Sequence, residues 1–156
     1  MFNCFSSLRT KPLVAYRDFP FQPVAPLIMI SELARVDKKN YEIINRLTGL
    51  PRRPHGVYIF VIPLDDPECI RLMPYDFIYG HASLMQTRDF PEVRPINYDP
   101  APVCYAGQVC FCQGEMVWWN NGSGHYEPPK NLRHRNLSHA AHKLLPDSKF
   151  RNYTDQ

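Results

Sequence analysis

No stretch of these 156 residues approaches the roughly 18 to 20 consecutive apolar residues that a membrane-spanning helix needs, so no membrane span is expected. The opening MFNCFSSLRTK lacks a basic patch followed by an apolar block, so no secretory signal is expected. Position 2 is Phe, not the Gly that myristoylation requires. The five cysteines (Cys4, Cys69, Cys104, Cys110 and Cys112) are odd in number and form no C-x-x-C pair. That argues against a disulfide framework and for a reduced compartment. Cys110 and Cys112 lie two apart on a strand-like run and share a face, but a metal site wants more ligands at suitable spacing. A strong charge of one sign is also missing. The balance of 18 basic and 15 acidic residues leaves a net +3, too mild to point to nucleic acid. There are no repeats and no low-complexity tract.

Proline, by contrast, is plentiful: 16 residues, twice the usual share of about 5%. Each fixes φ and removes a backbone donor, so short strands joined by constrained loops are expected over long helices. The length fits one domain with a real hydrophobic core. Six Lys or Arg between Lys130 and Arg151 face a single acid, Asp147, and His134, His139 and His142 add charge at low pH. This basic run reads either as a solvated helix face or as a docking surface.

Residues 1–30 are broken by Pro12, Pro20, Pro23 and Pro26 and read as an extended arm, with a short strand near Leu27 to Ile30. Residues 31–156 form the domain. In SELARVDKKNYEIINRLTGLP, Leu33, Val36, Tyr41, Ile44 and Leu47 recur at near-helical spacing, Ser31 is a cap and Gly49 with Pro51 a stop. One helix, or a pair broken at Asp37, is predicted. Val57 to Ile62 is a continuous apolar run typical of a strand buried on both faces. Residues 69–73 and 77–85 (with His81 and Ser83 on one face) are predicted as further strands. Residues 103–112, the turn Gln113-Gly114 and residues 116–119 form a hairpin, in which Gly107 permits a bulge or close backbone approach. The long proline-containing stretch 86–102 is a loop of the kind that carries function. Leu132, Leu137, Ala141 and Leu144 mark one final helix, stopped by Pro146. The sum is an α+β fold: N-terminal helices, a mostly antiparallel sheet of about five or more short strands, and one C-terminal helix.

The segment WWNNGSGHYEPP is the least core-like in the chain. Gly122 and Gly124 allow positive φ and close approach to a ligand. Asn120, Asn121, Ser123, His125 and Tyr126 supply donors and acceptors. Trp118, Trp119 and Tyr105 offer flat rings for stacking, although a Trp pair on a strand also simply divides between core and surface. Ser83 or Ser123 with His125 suggests a nucleophile pair, but no G-x-S-x-G elbow exists and no orienting carboxylate is identified. Glu127 is the carboxylate beside the motif.

Taken in order, VYIFVI, YGHASLM, VCYAGQVCFCQGEMVWWNNGSGHYEPP and LLPDSKF resemble a domain shared by plant IQ-motif calmodulin-binding proteins and bacterial effectors and toxins. The matching positions are His81, Ala82, Ser83, Leu84, Ala106, Gly107, Gly114, Met116, Ser123, Gly124, His125, Tyr126 and Pro128. The resemblance spans roughly residues 57 to 150. It implies a fold similar to the mono-ADP-ribosyltransferases, which hold NAD in a cleft between two small sheets. It also implies that the protein is a secreted effector acting in a host or target-cell cytosol on a target or cognate protein; without that implication a cytoplasmic protein is expected. On this reading His81 and Ser83 hold a ribose or phosphate. Ser123, Tyr126 and Trp119 complete the NAD site, and Glu127 and His125 are the catalytic candidates. The chain departs from the pattern in having no Glu-x-Glu and no Ile-Gln dipeptide, so calmodulin binding does not carry over. The rival reading is a non-catalytic protein-interaction module of the same fold.

Overall fold

Two strands occupy the segment predicted as helical. In the computed structural model, which describes residues 10–14, 25–76, 79–85, 102–124 and 126–153, Ser31–Arg35 (β1) and Tyr41–Asn45 (β2) pair antiparallel from Ser31 opposite Asn45 to Arg35 opposite Tyr41. The period-two pattern prevails over the helical one. Ser31, Leu33, Tyr41 and Ile43 are buried, whereas Val36 and Leu47, which completed the helical spacing, are exposed. Asp37 caps a turn instead of a helix: its carboxylate accepts from the backbone N–H of Lys39 (2.8 Å) and of Asn40 (2.9 Å). The Asn40 N–H, with that of Lys39, holds the Asp37 carboxyl below its usual range. Among the described residues no α-helix precedes His81.

Pro51–Arg52 (β3), Gly56–Pro63 (β4), Arg71–Pro74 (β5), Val103–Cys112 (β6) and Glu115–Trp119 (β7) complete one antiparallel sheet in the order β3-β2-β1-β5-β4-β6-β7. The described strands thus lie in a single sheet, not two. β4 carries the predicted buried run, with Tyr58 through Pro63 buried and only its first residues open. The sheet curls until the β6–β7 turn meets the start of β2: Asn40 bridges Glu115, and the Tyr41 N–H donates to the Gly114 carbonyl at 2.8 Å. That turn is tight because Gln113 (φ 46°) and Gly114 (φ 89°) are both left-handed, as a two-residue hairpin loop demands. Inside the curl, Tyr41 and Tyr58 meet Phe111 edge to face, and Phe60, Tyr105 and Phe150 surround Trp119 in the same way.

His81–Met85 (α1) is helical where a strand was predicted. Ala, Leu and Met are strong helix formers, and the segment is buried throughout, so no alternation existed to favour a strand. His81 and Ser83 therefore point in different directions. The predicted C-terminal helix is two short ones, Leu132–Asn136 (α2) and His139–Leu144 (α3). Ser138 divides them: its hydroxyl caps α3 by accepting from the Ala141 N–H (3.1 Å) and donates to the Pro67 carbonyl (2.9 Å). Leu27–Met29 is a 3-10 turn, not a strand. Among the described residues no helix is long and apolar enough to cross a membrane. The predicted loop falls almost wholly on residues 86–101, and His125 is also outside the described residues.

Residues 10–14 lie along β6, where Leu13 bridges Val103. Asn136, 2% exposed, holds them there. Its Oδ1 accepts from the Lys11 N–H (3.0 Å), and its Nδ2 donates to the Lys11 carbonyl (2.8 Å) and the Cys104 carbonyl (2.9 Å). Asn136→Ala is expected to cost about 2 kcal/mol, because the buried Cys104 carbonyl loses this donor. Hydrogen exchange at the Leu13 and Val103 amides should accelerate more than elsewhere; uniform protection would contradict the clamp.

Candidate functional site

The chain leaves β7 by pressing against β6. A Cβ placed on Gly107 would sit 1.8 Å from the Asn120 carbonyl oxygen, so only glycine admits this crossing. This is the close approach expected at Gly107. The buried Asn120 side chain then fixes the exit: Oδ1 accepts from the N–H groups of Gln108 and Gly122, both at 2.9 Å, and Nδ2 donates to Gln108 Oε1 at 3.1 Å. Asn121 ties the two sides of the loop, donating to the Pro128 carbonyl and accepting from the Tyr153 N–H, each at 2.9 Å. These asparagines hold the loop itself, rather than serving only as donors for a ligand.

Beyond them, the Ser123 hydroxyl accepts from the Tyr126 N–H (3.3 Å) and the Ser123 carbonyl accepts from the Glu127 N–H (2.8 Å). Glu127 is forced to φ 40°, a left-handed conformation that costs a non-glycine residue about 1 kcal/mol. Gly122 is not left-handed. Gly122 is needed for space: a Cβ there would meet the Tyr153 ring at 2.7 Å.

This loop forms one wall of a cavity of about 790 Å3. Ser123, Glu127 and Lys130 line it from the loop, Tyr75 and Asp76 from the end of β5, His81 from α1 and Tyr153 from the C-terminal segment. Two of its aromatic rings are accessible, Tyr75 at 50% and Tyr153 at 49% exposed, whereas Tyr79 is partly buried against the core. Asp76, Glu127 and Lys130 give the described lining charges of both signs.

Of the predicted site residues, His81, Ser123 and Glu127 come together here. His81 Nε2 lies 2.6 Å from the Gly107 carbonyl oxygen, so that nitrogen carries a proton and donates, pinning α1 to β6. Ser83 does not reach the cavity: it is fully buried, and its hydroxyl donates to the Gly80 carbonyl at 2.6 Å. Trp119 is fully buried with its Nε1 donating to the Pro146 carbonyl at 2.7 Å, so no ring face is free for a ligand. Tyr126 is 2% exposed within the core, and it does not line the cavity. Tyr105 is equally enclosed; burial pushes its phenol up, and it donates to the Pro129 carbonyl at 3.1 Å. The meeting of His81 with His125 falls on a residue outside those described.

Sequence reasoning passed over Tyr75, Asp76, Tyr79, Lys130 and Tyr153. Only Lys130 carried a signal, as part of the basic run. That run is partly consumed by the fold: Arg133 binds Asp147 at 2.7 Å and stacks on Phe150 at 4.1 Å. The hydrogen bond from Arg133 holds the Asp147 carboxyl below its usual range. Among the described residues no group of three or more His, Cys, Asp or Glu is arranged to hold a metal ion. In comparisons with known proteins, no family model, no curated protein and no solved structure matches this chain.

Proposed function

We propose that this α+β domain binds NAD or a related nucleotide in the cavity beside the Gly122–Glu127 loop, as an ADP-ribosyltransferase-like effector domain acting on a target protein. The observation that carries the reading is the strained Glu127, which lines the cavity at φ 40°. Backbone strain of this kind is enriched at functional sites; Gln113 takes the same conformation in the β6–β7 turn, so it is the position of Glu127 on the cavity wall that distinguishes it. The residues present fit the ligand class. A volume of about 790 Å3 lies within the several hundred to about 1,000 Å3 usual for cofactor sites. Tyr153 and Tyr75 present aromatic surface for a planar ring, Lys130 opposes phosphate charge, and the Glu127 carboxylate suits ribose hydroxyls. NAD supplies an ADP-ribosyl group joined to nicotinamide by a labile bond. Glu127 would contribute a fixed negative charge near the ribose, where positive charge develops as that bond lengthens.

Glu127→Gly separates strain from function. Removal of the left-handed penalty is expected to leave the melting temperature unchanged or raised, by about 1 kcal/mol of stability at most, while release of nicotinamide from NAD falls at least about tenfold, a modest value for a lost electrostatic group. Undiminished release in Glu127→Gly would remove the carboxylate from the chemistry, and absence of calorimetric heat with wild-type protein and NAD would remove the nucleotide.

A second reading has its own support: three expected ligand holders, Ser83, Trp119 and Tyr126, serve the core. This favours a non-catalytic interaction module of the same architecture, in which the loop is a docking edge. NAD binding without nicotinamide release would leave this reading with a ligand-gated form, and binding of neither kind would favour it outright.

A further inference from the structure

The cavity has a wall that comes from the far end of the chain. After Asp147–Lys149, a short 3-10 turn, residues 150–153 run alongside the exit of β7. Phe150 bridges Trp119 in parallel, the Arg151 N–H donates to the Trp119 carbonyl at 2.8 Å, and the Tyr153 N–H donates to Asn121 Oδ1 at 2.9 Å. Phe150 is clamped on one side by the Trp119 ring at 4.7 Å and on another by the Arg133 guanidinium at 4.1 Å. The segment is thus seated residue by residue up to Tyr153. There the absent side chain of Gly122 provides the space: three ring atoms of Tyr153 would lie 2.7 to 3.0 Å from a Cβ at that position. The ring rests against the loop backbone and remains 49% exposed along the cavity.

We propose that Tyr153 is a specificity-determining residue of the cavity, giving a planar heteroaromatic ring its stacking surface, and that Gly122 is the positioning residue that seats it. The proposal rests on the nucleotide reading above for the ligand class. A half-exposed tyrosine packed on backbone has one preset orientation, so little entropy is lost when a ring stacks on it. The backbone hydrogen bonds to Asn121 and Trp119 fix its depth. The same loop that carries Ser123 and Glu127 carries Gly122, so the ring rests on the wall that also bears the carboxylate.

The test is calorimetric titration of wild type, Tyr153→Ala, Tyr153→Phe and Gly122→Ala with NAD, ADP-ribose, AMP and flavin mononucleotide. Base–aromatic stacking predicts roughly tenfold or greater weakening in Tyr153→Ala, and Tyr153→Phe retains most of the affinity because the ring persists. Gly122→Ala should lose affinity as Tyr153→Ala does, with the Tyr153 amide exchanging faster because its ring is displaced. Affinity equal to wild type in Tyr153→Ala overturns the assignment while leaving NAD binding intact. Binding of AMP or flavin mononucleotide, but not NAD, with the same dependence on Tyr153 upholds the assignment and overturns the NAD reading. Wild-type protein that takes none of the four ligands overturns both.

Discussion

Gly107→Ala is expected to lose at least about 3 kcal/mol, a large part of the 5–15 kcal/mol typical of a domain. The new methyl would lie 1.8 Å from the Asn120 oxygen, 2.8 Å from the Asn120 carbonyl carbon and 3.1 Å from the Phe60 ring. None of these can give way cheaply. Phe60 is fully buried, and Asn120 is held by its own N–H to the Gln108 carbonyl and by three side-chain hydrogen bonds. Relief requires pulling the exit of β7 off β6, which breaks that network and leaves buried polar groups unpaired. Gly107 is not left-handed, so this cost is wholly steric and replaces the small gain in rigidity that alanine usually brings. Chemical denaturation measures it; a loss under about 1 kcal/mol would mean that the crossing is looser than described.

Trp119→Ala should cost about 3–5 kcal/mol, the range for a fully buried large aromatic. Its ring contacts Phe60 and Tyr105 at 6.2 Å and Phe150 at 4.7 Å, so the cavity left behind would open between the sheet and the C-terminal segment. The Pro146 carbonyl would lose its donor as well. Trp119→Phe should recover part of the packing but not that hydrogen bond, leaving a deficit of about 1–2 kcal/mol. The pair of variants distinguishes a core residue from a ligand platform. A platform would lose binding with little change in denaturation midpoint, whereas Trp119 as placed here must lose stability first. Because Phe150 packs on Trp119, the alanine variant should also loosen residues 150–153 and expose the Tyr153 amide to exchange.

The parts of the fold legible in the sequence are those where one pattern had no competitor. The run at 57–62 has no polar interruption, the hairpin at 103–119 has a Gln-Gly turn between two strand-like runs, and Gly107 stands alone within a strand. The segment from Ser31 to Leu47 carried two periodicities at once. Helical spacing counted Val36 and Leu47, but their burial was decided by where the sheet ends, and that is tertiary information. The YGHASLM segment had too few residues for either period to be decisive, and burial of all five helical positions erased any polar face. Within the candidate site, Ser123 and Glu127 were legible because glycine, serine and a carboxylate cluster next to a proline stop. Tyr153 was not, because its place depends on Phe150 finding Trp119 across 31 positions of sequence. Asp76 and Tyr75 likewise reach the cavity only because β5 inserts between β1 and β4.

The central claim, a nucleotide site walled by Glu127 and Tyr153, is tested most directly by a crystal structure of the protein grown with NAD. The account predicts a planar ring of the ligand against Tyr153 and a ribose within hydrogen-bond reach of Glu127, in the cavity that His81 and Ser123 also line. NAD seated on another face of the molecule, with Tyr153 and Glu127 untouched, would contradict it.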